Sequence, residues 1–347
     1  RASDQSQGGE AFDNTANIER ILSLRHEAAG LIGYENFADY SLATKMAESV
    51  DEVLEFLNDL ADRARPAAAR ELEELERFAG KALAAWDIAY YSERLRRERY
   101  AISDEELRPY FPVDRVMAGL FELVQKIYGI DIAEITGTDA WHDDVRCFSV
   151  SDADGRPMAG FFMDLYARVG KRSGAWMDEC VLPAIEDSAH TVPVAHLVCN
   201  FPAPTASLPS LLTHEDVLTL FHEFGHALHH MLTRVRYPSV AGINGVPWDA
   251  VELPSQFMEN YAWEPEIIAM ISGHYETGEA LPTEHLDRLQ ASRVFQAGMQ
   301  MVRQLESMTT GRSPPTRLPA STRMGLSSTA AIHRWRSKST IQPSPAG

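Results

Sequence analysis

Three features are scarce or missing in this 347-residue sequence: cysteine, long apolar runs, and acidic residues near the carboxyl end. The cysteines, Cys147, Cys180 and Cys199, are odd in number and scattered, which excludes a disulfide framework and a paired CxxC metal site. No stretch approaches the roughly 20 apolar residues that a transmembrane helix needs. The first thirty residues are polar and acidic, unlike a secretory signal peptide. We therefore expect a cytoplasmic protein that does not enter a membrane.

The remaining composition is that of an ordinary globular protein with an excess of negative charge. Hydrophobic residues make up 45% of the chain and charged residues 24%, and 32 basic against 50 acidic residues give a formal net charge of −18. Such a surface repels nucleic acids and anionic lipids, so neither is expected as a partner. The length allows one large domain or two smaller ones.

Residues 307–347 differ from the rest of the chain. They contain six basic residues and no Asp or Glu, and they are rich in Ser, Thr and Pro without a helical or strand period. Such a segment cannot bury enough apolar surface to offset its ordering entropy. It is either a disordered basic tail or the product of a wrong reading frame, because the change interrupts a helical pattern over 291–306. The chain begins at Arg1, and we expect it to be part of a longer protein.

The first 140 residues are predicted to form a helical region without recognisable chemistry. Residues 17–33 are amphipathic, and Ser49-Val-Asp-Glu52 is a capping-box sequence at the start of a second helix. Pro66 is compatible with the first turn of a third helix. Ser103-Asp-Glu-Glu106 and Asp114 indicate further helix starts.

Strands are predicted after this helical region. Residues 144–151 and 158–167 alternate in polarity around the turn sequence Asp152-Ala-Asp-Gly155, which predicts a hairpin, and 192–201 is a third strand. Helices are predicted over 213–234, with Thr213 in its cap, over 249–272, and from Pro282 onward. The predicted fold class is mainly α with a small antiparallel β-sheet.

The string His222-Glu-Phe-Gly-His226 carries the clearest chemical signal. It lies inside the predicted helix 213–234, where residues four apart project from one face in consecutive turns. Two imidazoles so placed can bind one tetrahedral zinc ion, with Glu223 beside water in the metal site. The structural alternative is a histidine pair that lines a helix–helix contact.

A third protein ligand must come from elsewhere in the chain, because a catalytic zinc site leaves one position open. The extended motif HExxHxxGxxH does not apply to this chain. His229 occupies the position where the motif requires Gly, and Leu232 occupies the position of the third His. Glu252 and Glu259 are seven residues apart on the next predicted helix, two turns along one face. One can bind zinc while the other orients a ligand by a hydrogen bond.

The other histidines and the cysteines carry weaker signals. His229 and His230 follow on the same helix, where they either line a cleft or pack against neighbours. His214 is expected to belong to the helix cap, and the cysteines are most simply small buried hydrophobes.

A wider similarity extends from the start of the chain to about Glu306. The segments 221–229 (FHEFGHALH) and 248–260 (WDAVELPSQFMEN) closely resemble the thimet oligopeptidase family of zinc metallopeptidases. Residues 17–22, 42–47, 164–168 and 199–202 are also similar to that group. The resemblance implies a zincin-like, helix-rich peptidase of the neurolysin type, with a deep channel that admits short unfolded peptides. It also implies a monomer for the full-length protein.

The resemblance assigns roles residue by residue. It implies one Zn²⁺ per chain, with His222, His226 and Glu252 as ligands, Glu223 as general base, and Glu259 as a hydrogen-bond partner of a ligand. The zinc-binding catalytic region is accordingly expected over residues 141–306. We also expect the strand 194–201 to hold substrate by adding it as an extra strand.

Two departures from the family pattern bear on activity. Family members have a helical region before the point that matches Arg1, and after the point that matches Glu306 they have a segment that supplies His and Tyr to the substrate. The tail 307–347 contains no Tyr. The first hypothesis is therefore a zinc endopeptidase for short oligopeptides, and the alternative is a catalytically impaired zinc-binding fragment of one. A third, a helical interaction protein with an incidental HExxH string, predicts no zinc binding.

Overall fold

The computed structural model describes residues 14–101, 103–186 and 189–309. Within these ranges no helix is both long and apolar enough to cross a membrane. The helices are α1 (Thr15–Leu31), α2 (Phe37–Leu42), α3 (Val50–Ala79), α4 (Ala85–Tyr100), α5 (Asp104–Leu107), α6 (Val113–Tyr128), α7 (His214–Met231), α8 (Leu253–Tyr261), α9 (Pro265–Ile271), α10 (Thr283–Ser292) and α11 (Ala297–Thr309). The strands are β1 (Ile130–Ile135), β2 (Arg146–Asp152), β3 (Pro157–Tyr166), β4 (Trp176–Val181), β5 (Ala184–Glu186), β6 (Ala189–Thr191) and β7 (Val194–Phe201).

The chain divides into two compact units. One comprises the residues up to Arg99 together with those from Ser292 onward, and the other runs from Tyr100 to Ala291. The sequence-predicted boundary near residue 140 stays a prediction. Apart from its first three residues, which end α11, the predicted tail 307–347 lies outside the described residues.

The first unit is helical, and α3 is its longest element. The side chain of Ser49 accepts a hydrogen bond from the backbone N–H of Glu52 and begins the helix at the predicted place. The predicted capping box is only half formed, because the Glu52 carboxylate accepts from the backbone N–H of Glu48 instead of that of Ser49. The expected new helix at Pro66 is wrong, because α3 continues through that residue to Ala79. A proline inside a helix forfeits one backbone hydrogen bond, and close packing of α11 on the next turn offsets part of this cost. A Cβ at Gly298 would lie 2.8 Å from Ala67 Cβ.

The second unit is built around a five-stranded sheet in the order β1-β2-β3-β7-β4. The mainly helical class with a small sheet is confirmed. The sheet is mixed rather than wholly antiparallel, because β3 and β7 run parallel while the other neighbours are antiparallel. The hairpin at Asp152–Gly155 is also confirmed, and Gly155 adopts a positive φ of 77° in its turn.

Strand β7 lies inside the sheet, with β3 on one side and β4 on the other. The expectation that 194–201 adds a substrate strand is therefore wrong, since both of its backbone edges are already paired. Polarity alternation identified the strand but could not identify its neighbours. The edge strand next to β7 is β4, and β1 forms the opposite edge of the sheet. The register of β4 with β7 shifts at Cys180, as in a β-bulge.

The core of the second unit lies between one face of the sheet and the helices α6 and α7. Phe148 and Phe161 stack at 4.9 Å, and Phe161 meets Phe224 of α7 edge to face at 5.6 Å. All three rings are buried, and each contributes about 1.5–3 kcal/mol by leaving water. The helix that contains the HExxH string is thus fixed by core packing.

The helix predicted over 249–272 is two helices, α8 and α9. Pro265 begins α9, and Glu264 before it is extended, with ψ of 130°, because a residue that precedes proline avoids the helical region. Glu252 precedes α8 as its N-cap residue, so it does not lie within a helix as predicted.

Candidate metal centre

Helix α7 presents His222 and His226 on one face. A capping box begins the helix: the Thr213 side chain accepts from the Asp216 backbone N–H, and the Asp216 carboxylate accepts from the Thr213 backbone N–H at 2.9 Å. The two imidazole rings lie 5.0 Å apart between centroids, at 81° to one another. The spacing of four residues therefore places the two rings next to each other on the same side of the helix.

Gly225, between the two histidines, allows α8 to approach α7 very closely. A Cβ at this position would lie 2.5 Å from the Pro254 carbonyl oxygen and 2.6 Å from Ser255 Cα. These distances are too short for any side chain, so the contact requires glycine. The close approach brings the N-terminus of α8, with Glu252, next to the histidines.

Three potential metal ligands converge where the helices meet. Oε2 of Glu252 lies 3.1 Å from Nε2 of His222 and 3.1 Å from Nε2 of His226, and the ligand atoms of the three residues all lie within 4.8 Å of one another. Ligands about 2.1 Å from a tetrahedral zinc ion are about 3.4 Å apart, so these spacings fit one ion. Two imidazoles and a carboxylate are also a donor set typical of catalytic zinc.

Glu259 holds His222 from the opposite side of the ring. The Nδ1 atom of His222 donates to Oε1 of Glu259 over 2.6 Å, which leaves Nε2 facing Glu252. Burial alone would lower the pKa of His222, but the hydrogen bonds with Glu252 and Glu259 outweigh it and raise the pKa. Hydrogen bonds from the two histidines hold the pKa of Glu252 well below its usual range. The site thus keeps Glu252 ionised.

Ser255 is a member of this site that sequence reasoning did not assign. Its Oγ lies 3.0 Å from Oε2 of Glu252 and 2.9 Å from the backbone oxygen of the same residue, so its proton can reach either acceptor. Ser255 is fully buried. One feature of the sequence could have identified Ser255. Its hydroxyl stands three residues after Glu252 at the start of a helix, and at this spacing a serine side chain can hydrogen-bond to the N-cap residue.

Glu223 lies between the histidines in sequence and is 7% exposed. Burial raises the pKa of the Cys199 thiol in β7 well above its ordinary value. The negative charge of Glu223 raises that pKa further. Cys199 therefore stays a protonated thiol in the core, as predicted for a small buried hydrophobe. The same prediction is wrong for Cys180, which is exposed at the edge strand, and Cys147 is only partly buried.

The other histidines of α7 connect it to neighbouring segments. His214, expected in the helix cap, is instead buried in the first turn, and its Nε2 donates to the carbonyl of Ala262 at the end of α8 over 2.9 Å. His230 is fully buried, and its Nε2 donates to the Val181 carbonyl of β4 over 3.1 Å. His229 is partly buried.

A second polar cluster lies on the face of the sheet away from α7. The carboxylate of Asp164 in β3 accepts hydrogen bonds from Trp141 (2.9 Å), Arg168 (2.6 and 2.8 Å) and Lys171 (2.8 Å). Burial alone would raise the pKa of Asp164, but these bonds outweigh it and hold the pKa well below its usual range. The cluster borders a cavity of about 270 Å³.

Comparison with known proteins identifies the family of the chain. The model of Peptidase family M3 matches residues 1–309. Oligopeptidase A of Salmonella typhimurium is 55% identical over 312 residues, which cover 88% of this chain and 46% of that protein. Dipeptidyl carboxypeptidase of Escherichia coli is 34% identical, covering 86% and 44%, and saccharolysin of Saccharomyces cerevisiae is 32% identical, covering 84% and 44%.

The chain thus spans just under half the length of these relatives, while the family model matches all of the residues that the structure describes. The match includes α7, Glu252 and the helix α8 that follows it. The chain belongs to Peptidase family M3.

Proposed function

We propose that the chain is a zinc metalloendopeptidase that hydrolyses internal bonds of short oligopeptides. The observation that carries the proposal is the convergence of His222, His226 and Glu252 within 4.8 Å, with Glu223 on the same helix turn. Family membership and the names of the relatives support a peptide substrate.

The metal would be held by Nε2 of His222, Nε2 of His226 and the Glu252 carboxylate. Zinc in such a site supplies Lewis acidity, which polarises a peptide carbonyl and lowers the pKa of water toward about 7. Glu259 keeps the His222 ring oriented and its Nδ1 protonated, so that Nε2 can offer its lone pair. Ser255 restrains the Glu252 carboxylate in the same way.

Glu223 is the proposed general base. Its carboxylate takes a proton from the attacking water and passes it to the nitrogen of the leaving amine. Its near-complete burial limits the solvent that could compete for that proton. Its charge helps to raise the pKa of His222, which indicates that the carboxylate lies near the proposed ligands.

The edge strand β4 is the proposed place for the peptide backbone. Among the described residues β4 pairs with β7 alone, so its other backbone edge can pair with an extended peptide. Main-chain hydrogen bonds of this kind give affinity with little sequence preference. The Val181 carbonyl at its end contacts His230, one turn after His226.

A cytoplasmic location, and a monomeric state for the full-length protein, belong to the same proposal. The three cysteines are unpaired, which suits a reducing compartment. Sedimentation of the zinc-loaded full-length protein tests the monomer directly, because a dimer doubles the measured mass.

Hydrolysis of a quenched fluorescent peptide of about ten residues tests the function. With zinc supplied, the chain should cleave the peptide, and Glu223→Gln should lower kcat by about 10²–10⁴-fold while binding the same amount of zinc. Glu55→Gln, an exposed substitution in α3, is the matched control. Zinc binding without hydrolysis by the unsubstituted chain would instead identify a catalytically impaired zinc-binding fragment. The absence of both would refute the zinc site itself.

A further inference from the structure

The edge strand β4 depends on side chains for its position. It has six residues, pairs on one side only among the described residues, and shifts register at Cys180. A short ladder with a bulge leaves few backbone hydrogen bonds to hold it. In its middle, the Glu179 carboxylate accepts a hydrogen bond from Asn244 over 2.6 Å, and contacts at its two ends add to this anchor.

Asn200 of β7 holds the segment that leads into β4. Its side-chain amide donates to the Arg172 carbonyl over 2.8 Å and to the Gly174 carbonyl over 2.6 Å, so both amide protons are used. The guanidinium of Arg172 also lies 5.5 Å from the centre of the Trp176 ring, at the first residue of β4. The beginning of the edge strand is thus attached to its sheet neighbour.

His230 holds the other end of β4. The hydrogen bond from its Nε2 reaches Val181, the last residue of the strand, over 3.1 Å. The backbone at Gly242 packs closely against the ring, since a Cβ at that position would lie 2.8 Å from His230 Nδ1, and this packing restricts the ring. The end of the edge strand is thus attached to α7, the helix of His222 and His226.

We propose that Asn200 and His230 are positioning residues that set β4 at a fixed place relative to the metal-binding histidines, and that they act on peptide binding through this strand. The inference rests on the proposed function, in which the peptide pairs with β4. A backbone displaced by about 1 Å loses both hydrogen-bond geometry and alignment with the reacting groups. Neither side chain is among the proposed metal ligands, so a change in either should affect the peptide before the metal.

Steady-state kinetics of two variants of the zinc-loaded chain tests this proposal. Asn200→Asp keeps the size of the side chain but removes its donor group, and His230→Leu removes the donor to Val181. Each should raise KM about tenfold, the effect of one or two lost hydrogen bonds, while kcat changes less and zinc content stays the same. His230→Gln retains a donor near the position of Nε2 and should restore most of the lost affinity. Asn58→Asp, an exposed change in α3, is the control.

Hydrogen exchange gives a second measurement that does not need hydrolysis. Amides of residues 172–181 should exchange faster in Asn200→Asp than in the unsubstituted chain, while those of α7 should not. A merely destabilised protein would exchange faster throughout.

The outcomes separate this inference from the proposed function. A chain that cleaves peptide, but whose KM and β4 exchange are unchanged in both variants, overturns the positioning role alone. Loss of zinc and of kcat at unchanged KM also overturns it, because the residues would then act on the metal. A chain that neither binds nor cleaves the peptide overturns the proposed function and this inference together.

Discussion

The Nδ1 atom of His222 and the Oε1 atom of Glu259 lie 2.6 Å apart, and this hydrogen bond joins two helices that are distant in sequence. It holds the imidazole from the side opposite to Nε2, which faces Glu252. The pair therefore fixes both the direction of the ring and the nitrogen that is free to bind a metal.

Glu259→Gln should weaken zinc binding by about 10–100-fold, because a neutral amide neither fixes the protonated Nδ1 nor raises the basicity of the ring as a carboxylate does. Competition with a chromophoric chelator measures the affinity. Glu266→Gln, an exposed change on α9, should leave it unaltered. Equal affinities in the two variants would show that Glu259 plays no part in the metal site.

Gly225→Ala should destabilise the protein by about 1–3 kcal/mol, although alanine favours helices over glycine by about 1 kcal/mol. The new Cβ would collide with the backbone of Pro254 and Ser255 and push α8, with Glu252, away from the histidines. Urea unfolding without metal measures the stability, and chelator competition measures the weaker zinc binding. Gly30→Ala, where nothing lies within 4 Å of the added Cβ, should be neutral or slightly stabilising. A stabilised Gly225→Ala variant would contradict the described contact.

Asp164→Asn should cost about 3–5 kcal/mol at pH 7, because it leaves the buried Lys171 without its charged partner. The folded-state pKa of Asp164 lies below its unfolded value of about 3.9. Its contribution is therefore complete above that unfolded value and is lost progressively as the pH falls toward the folded-state pKa. Urea unfolding at pH 7 and pH 3 should show the difference between the variant and the unsubstituted chain shrinking in acid. Asp139→Asn, an exposed change, should shift neither curve, and a constant difference at both pH values would refute the role of ionisation.

Local signals in the sequence predicted local structure well. The helix starts at Ser103 and Thr213 and the turn at Gly155 were predicted because each depends on residues three or four apart. The convergence of His222 and His226 follows from helix periodicity in the same way.

Features that depend on tertiary contacts could not be predicted from the sequence. Pro66 signals a helix start, but α3 continues through it, and α11 packs closely against the next residue, Ala67. Strand β7 has the pattern of a half-buried strand, and only the chain topology shows that β4 occupies the edge. The hydrogen bond from Asn200 to a segment more than twenty residues away has no periodic signal at all.

The register shift at Cys180 has a consequence for self-association. An exposed sheet edge invites other strands, including those of a second copy of the same chain, and a long flat edge promotes aggregation. The edge of β4 is short, twisted by its bulge, and carries the acidic residues Asp178 and Glu179. The β4 strands of two molecules therefore repel one another, and their backbones can pair over only a few residues. The same irregularity that limits how much backbone a peptide can pair with thus discourages the protein from polymerising through this edge of its sheet.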